Sequence, residues 1–196
     1  MIPSPFIVSG PHRSAGHLAD LTADGLTDLP VAHWLVPDSP ARRLEVLRAY
    51  TSMVIEHALG GAGHIDMFAD GSGCAVWLHD LLPVVQQWPR MRHRIGVPAY
   101  RFAALDAVAR GAGTARRDVY LALIAVAPDC RGNGWGRQLI STRLARVGAR
   151  GLTATALLWD ESLLRVVAPL GFRALEAVPL PGESGAQVLP VVWSGR

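Results

Sequence analysis

The sequence predicts a mixed α/β protein: one central, mostly antiparallel twisted sheet of about six to seven strands with helices on both faces. Three observations lead there. Residues 119–128, "VYLALIAVAP", are a long apolar run rich in β-formers, the pattern of a strand buried in the middle of a sheet. Residues 64–80 read as two short strands around Asp70-Gly71-Ser72-Gly73, a hairpin signal. After residue 119 strands alternate with helical patterns, as in βαβ units. Antiparallel and βαβ units in one chain imply a mixed sheet.

The elements follow in order. "PFIVSG" at 5–10 is a short strand, and Ala15–Leu26 has weak helical periodicity. Residues 28–40 are a proline-broken connection carrying Trp34. Over 41–59, Leu44, Leu47, Met53, Val54 and Ile55 fall near helical spacing; Ser39 caps this helix, Pro40 sits in its first turn and Gly60-Gly61 ends it. Two helices over 81–94 and 99–110 are separated by Gly96 and Pro98. A helix over 134–148 places Leu139, Ile140, Leu144 and Val147 on one face. A strand at 152–159 and a short helix at 161–168 precede two final strands, "FRALEAVPL" and "QVLPVVW". No repeat or low-complexity linker divides residues 1–196, so one domain is the simplest organisation.

Composition narrows the chemistry. All 19 basic residues are arginines. Without lysine there is no Walker-type phosphate loop and no lysine Schiff base. Net charge is only +3, and the densest basic stretch, Arg90 to Arg101, reads as a solvated helix face. Nucleic-acid binding is therefore not expected. Cys74 and Cys130 have no disulfide or metal spacing, and the seven histidines show no ligand pattern. No apolar run approaches the ~20 residues of a membrane span, and the chain begins without a signal-like segment. A cytoplasmic location with no membrane partner is expected.

The stretch "VAPDCRGNGWGRQL" at 126–139 carries the chemistry. A strand, a Gly-rich turn and a helix N-terminus together form an anion site, because the first-turn N–H groups lack intrahelical partners. Glycine lets the backbone approach a phosphate without a Cβ. Gly132, Asn133, Gly134, Trp135 and Gly136 can thus cradle a pyrophosphate, with Arg131 and Arg137 adding positive charge. The five residues between strand and first glycine argue against a dinucleotide-binding loop.

The wider pattern resembles the GNAT acetyltransferase superfamily. Arg131, Gly134 and Gly136 match its Q/R-x-x-G-x-G/A loop, and Val126-Ala127-Pro128 its Val-x-Pro strand end. "APLGFRAL" at 168–175 is similar to its Leu-Gly-Phe segment. "DGSGCAVWL" and "VPLPGESGAQVLPVVW" resemble the puromycin N-acetyltransferase-like branch. The resemblance implies a GNAT-like fold and acetyl-CoA or another acyl-CoA as co-substrate, with no metal. It implies that Ile124, Ala125 and Val126 meet the pantetheine arm through their main chain. Residues Arg131, Gly132, Asn133, Gly134, Trp135 and Gly136 hold the pyrophosphate. A small-molecule amine, such as an antibiotic-like metabolite, then attacks the thioester directly. A homodimer is compatible with this reading.

One position departs from the family. The tyrosine that usually protonates the leaving thiolate falls, by counting back from Phe172, on Val167; Leu157 stands where the branch carries a Glu. Two readings stay open: an N-acyltransferase working without that acid, or a GNAT-fold protein with altered chemistry, such as an acyl-CoA sensor. Asp118, Tyr120 and Ser162 are the candidate catalytic replacements, with His79 and Asp80 behind them. Each also has a plain structural reading, as strand edge, core, surface or loop.

Overall fold

A computed structural model describes residues 7–9, 15–111, 119–182 and 185–195. Strands β1 (Ile7–Ser9), β2 (Gly63–Phe68), β3 (Gly73–Leu78) and β4 (Val119–Val126) form an antiparallel run. β4 then lies parallel to β5 (Ala154–Leu158), which is antiparallel to β8 (Gln187–Trp193). β8 also carries the two-residue strands β6 (Arg173–Ala174) and β7 (Val178–Pro179).

The sheet thus has eight strands, against an expectation of about six to seven. The extra one comes from residues 172–180, which do not run as a single strand. Ala174 opposes Val191 and Val178 opposes Val188, so three residues on one side face two on the other. One of those two is Pro190, which has no N–H to donate to the ladder.

Five helices cover one face: α1 (Ala15–Leu26), α2 (Pro30–Leu35), α3 (Pro40–His57), α4 (Val84–Ile95) and α5 (Ala99–Gly111). They bury Leu18, Leu47, Ile55 and Phe102 against the sheet. The other face takes α6 (Trp135–Gly148) and α7 (Leu164–Val167), around Trp77, Trp135, Leu139 and Ile140. α2 occupies the segment expected to be a broken connection. Pro30 sits in its first turn, where no N–H is needed, and Trp34 Nε1 donates to the Pro181 carbonyl at 3.0 Å. α3 begins as expected, with Ser39 Oγ accepting from Arg42 N–H at 3.3 Å, and it ends in a wide turn at Gly61, φ +102°.

β3 and β4 are sheet neighbours, yet α4 and α5 lie between them in sequence. This helical pair packs on α3. Glu56 of α3 accepts from Arg90 and from Arg94, the latter at 3.0 Å. Arg101 donates to the Trp34 carbonyl. The basic stretch is thereby partly consumed by internal contacts.

On the opposite face Arg143 of α6 makes a two-pronged bond to Asp66 of β2, at 2.7 and 2.6 Å, with both side chains buried. That pair fixes α6 on the sheet. No helix among the described residues is long and apolar enough to cross a membrane.

Candidate active site

β4 and β5 pair only from Val119 to Leu121, against Ala154 to Ala156. Beyond Leu121 the two strands part, while β4 continues to pair with β3 as far as Val126. The divergence coincides with a bulge. Leu121 opposes Trp77 and Leu123 opposes Val76, so Ala122 is an extra residue in β4. A bulge locally breaks the ladder and re-aims the strand. The gap between the strands is a cleft of ≈ 200 Å³ lined by Ala122, Leu123, Ile124, Leu157, Val166 and Val167, among others.

At the far end of β4 the chain makes a short 3-10 turn (Pro128–Cys130) and enters the glycine loop. Gly132 and Gly134 have φ of +78° and +79°, which L side chains rarely adopt. Gly134 begins α6 with no side-chain cap. The first helical bond runs from Gln138 N–H to the Gly134 carbonyl at 3.0 Å, so the N–H groups of Trp135, Gly136 and Arg137 have no intrahelical acceptor. The helix dipole adds positive potential at the same place. A Cβ on Gly132 or Gly134 would meet no protein atom within 4 Å; it would stand in the open cleft. Gly136 is different: its Cβ would make ordinary van der Waals contact with Ile124 Cδ1 at 3.8 Å, so it faces β4 rather than open space.

This loop lines a second cleft of ≈ 300 Å³, together with Arg131, Arg137 and Val166. Val166 lines both clefts, so the two adjoin, and together they form a groove that runs from the glycine loop toward the strand gap. The groove fits an acyl-CoA: an anionic end at uncapped N–H groups and two arginines, and an apolar slot between separated strands. When bound there, an acyl-CoA supplies an activated thioester carbonyl.

The predicted residues distribute unevenly. Arg131, Gly132, Gly134, Trp135 and Gly136 converge on the groove. The Trp135 indole itself is buried against Phe68, rings 5.2 Å apart, so its contribution is main chain. Asn133 turns inward and donates to the carbonyls of Cys130 and Arg131, both at 3.4 Å, bracing the loop. Ile124 lines the strand gap, whereas the Ala125 side chain is buried. The Val126 carbonyl, expected to be free, accepts from Arg131 Nε at 3.0 Å. The arginine reaches back because the intervening turn returns it to the strand end.

Among the catalytic candidates, Asp118 lies outside the described residues. Ser162 is exposed at the start of a short turn, its N–H held by Asp160 at 2.7 Å, and it lines neither cleft. His79 packs edge-on to His64 at 4.7 Å, near Arg143 and Arg150 and away from the groove. Burial and the Arg143 guanidinium hold both imidazoles below their ordinary value. Tyr120 alone of the candidates faces a cavity near the strand gap.

That cavity, ≈ 50 Å³, lies under β4 on the helical face. Leu26, Ala122, Leu123 and Trp159 line both it and the strand gap, so the two adjoin at the bulge. Its polar lining comes from three elements: Tyr50 of α3, Asp106 of α5 and Tyr120 of β4. Arg110 Nε donates to Asp106 Oδ2 at 2.7 Å. Burial pushes the Asp106 carboxyl up, against the pull of Arg110. Burial, and then the neighbouring charge of Asp106, push the Tyr50 phenol well above its ordinary value. For Tyr120 the same two causes act, with Tyr50 contributing as well. Both phenols therefore remain protonated donors. Sequence reasoning missed Asp106 and Tyr50, which read as ordinary helix residues, and missed the bulge inside an apolar run.

Residues 67–172 match the family model described as acetyltransferase (GNAT) family. The chain belongs to the GNAT family. That span runs from the end of β2 through Phe172 and includes the glycine loop and both parted strands. Solved GNAT-type structures superpose on almost the full length. One is a Corynebacterium glutamicum protein described as histone acetyltransferase and related acetyltransferase, 21% identical, covering 98% of this chain and 97% of its own at TM-score 0.71. Another is the Drosophila melanogaster polyamine N-acetyltransferase, which forms N-acetylagmatine, 16% identical over 96% and 100% of the two chains at TM-score 0.62. A third is an aminoglycoside 6'-acetyltransferase type Ii, 13% identical over 97% of each chain at TM-score 0.56. At these identities the likeness shows the fold. No curated protein matches the chain. GNAT acetyltransferases generally use acetyl-CoA and act on small-molecule amines.

Proposed function

We propose that this GNAT protein is an acyl-CoA-dependent N-acyltransferase acting on a small-molecule amine by direct attack on the thioester. The observation that carries the reading is the adjacency of the uncapped α6 N-terminus and the cleft between the parted strands β4 and β5, with Val166 in the wall of both. Trp135, Gly136 and Arg137 present main-chain N–H groups to the pyrophosphate, and the Arg131 and Arg137 side chains neutralise it. The strand gap offers the thioester an apolar slot that adjoins the cavity at Ala122. Holding two reactants in one place removes much of the entropic barrier. The puromycin N-acetyltransferase-like kinship rests on the sequence segments around Gly73, Leu121 and the C-terminal strand.

A second reading, a GNAT-fold acyl-CoA sensor, is favoured by one observation. Among the described residues no ionisable side chain lines the strand gap, and Val166 and Val167 are part of its wall. A thiol pKa near 8.5 makes thiolate a tolerable leaving group without an acid, so the transferase reading is retained. The test adds acetyl-CoA and an amine panel and follows melting temperature together with free-thiol release. Stabilisation with amine-dependent thiol release supports the transferase. Stabilisation without release for any amine favours the sensor. No stabilisation by acetyl-CoA or CoA overturns both.

A further inference from the structure

Every described residue that lines the strand gap is aliphatic, a glycine or a tryptophan. Its ≈ 200 Å³ is room for roughly a dozen water-sized groups, whereas the hydrocarbon part of an acetyl group is a single methyl. Ile124 of β4 stands on this wall 37% exposed, its apolar side chain left uncovered. The pantetheine arm does not match such a wall, because its amides need polar partners. The gap also does not end where the strands part. At the Ala122 bulge it adjoins the ≈ 50 Å³ chamber under β4, and Leu26, Ala122, Leu123 and Trp159 line both. All but three of the chamber's described lining residues are apolar. The three are Tyr50, Tyr120 and Asp106, and Asp106 is already held by Arg110 at 2.7 Å.

We infer that the acyl group on the thioester is an uncharged straight chain longer than acetyl, of about four to eight carbons, which lies along the strand gap and turns at Ala122 into the chamber. The inference rests on the acyl-CoA reading above and names its donor. Apolar surface drives it, since each methylene moved from water onto an aliphatic wall strengthens binding. Ala122 suits the turn: it is the extra residue of the bulge and carries only a Cβ, so the junction is not filled by side chain. Charge sets the second limit. No cation lines either space among the described residues, so an acyl group ending in a carboxylate would be buried unpaired. The transfer is the same at any chain length. The amine nitrogen bonds to the thioester carbonyl carbon, the carbon–sulfur bond breaks, and the thiolate takes up the proton that the amine loses.

The experiment measures binding by calorimetry, without amine and so without turnover, for CoA and its acetyl, butyryl, hexanoyl, hexadecanoyl and succinyl thioesters. Affinity should rise about three- to fourfold per added methylene from acetyl to hexanoyl, and level off before hexadecanoyl because the space is finite. Succinyl-CoA, of the same four-carbon length as butyryl-CoA, should bind more weakly than it. In Ala122→Phe, where a ring fills the junction, the gain with length should disappear and hexanoyl- and acetyl-CoA should bind alike. Equal affinities for acetyl- and hexanoyl-CoA in wild type overturn the inference and leave the acyl-CoA reading standing. A rise that continues unchanged to hexadecanoyl-CoA is unspecific association and also overturns it, as does succinyl-CoA binding as tightly as butyryl-CoA. An undiminished gain in folded Ala122→Phe overturns the path through the junction. Should that variant not fold, the wild-type series and the succinyl–butyryl pair still decide. Failure of CoA and every thioester to bind overturns this inference and the acyl-CoA reading together.

Discussion

The α6 end of the groove and the chamber that adjoins it under β4 are built in different ways. The α6 end is made by a contiguous loop, residues 128–137, and works mainly through main-chain N–H groups and the absence of side chains. The chamber under β4 is made by side chains from α3, α5 and β4, which are far apart in sequence. A main-chain site tolerates most changes around it but not a Cβ in its path. A side-chain site can be retuned one residue at a time. One fold can therefore keep a main-chain site while the side-chain lining beside it changes.

The largest expected effect removes the distinction altogether. Arg143→Ala leaves the Asp66 carboxylate buried without its main partner, which should cost about 3–5 kcal/mol of stability. Chemical denaturation measures it, and CoA and amine binding should weaken together because α6 is no longer fixed to β2. A loss under about 1 kcal/mol would mean that the pair does not anchor the helix.

Gly134→Val attacks one half only. A valine at φ +79° costs about 1–2 kcal/mol, and its side chain would stand in the cleft. Acetyl-CoA binding should be lost by calorimetry while the far-ultraviolet spectrum stays native. Retained affinity would break the main-chain account of the loop. Val167→Tyr works where the halves meet. It places a phenol in a gap that otherwise carries no ionisable lining, and the ≈ 200 Å³ of space can take the ring. If acyl transfer proceeds without an acid, kcat should rise by up to ~10²-fold with unchanged acetyl-CoA affinity. No rise would show that another proton route already serves the leaving group.

The smallest effect concerns the clamp that seats α4 on α3. Partial burial raises the Glu56 carboxyl, but hydrogen bonds from Arg94 and Ser52 and the charge of Arg90 outweigh it. The net shift is below the ordinary 4.5. A depressed folded value means the clamp contributes fully above 4.5 and is lost as pH falls through the lower folded value. The pair is partly exposed, so the contribution should stay below about 1 kcal/mol and shrink in salt. Melting curves of wild type and Glu56→Gln should differ slightly near neutrality and converge in acid.

The sequence by itself determined the parts that are local. Hydrophobic periodicity placed most of the helices, and the run at 119–128 announced β4. The glycine loop was legible because its φ angles and its missing side chains are properties of adjacent residues. Only the tertiary structure decided the rest. Pro190 splits the 172–180 segment through a partner strand that is not adjacent in sequence. The bulge at Ala122 exists only relative to β3, because register is a property of two strands. Arg131 returns to the Val126 carbonyl through the turn between them. Asp106, Tyr50 and Tyr120 carry no shared pattern; they line one cavity because α3 and α5 pack on the same face of β4.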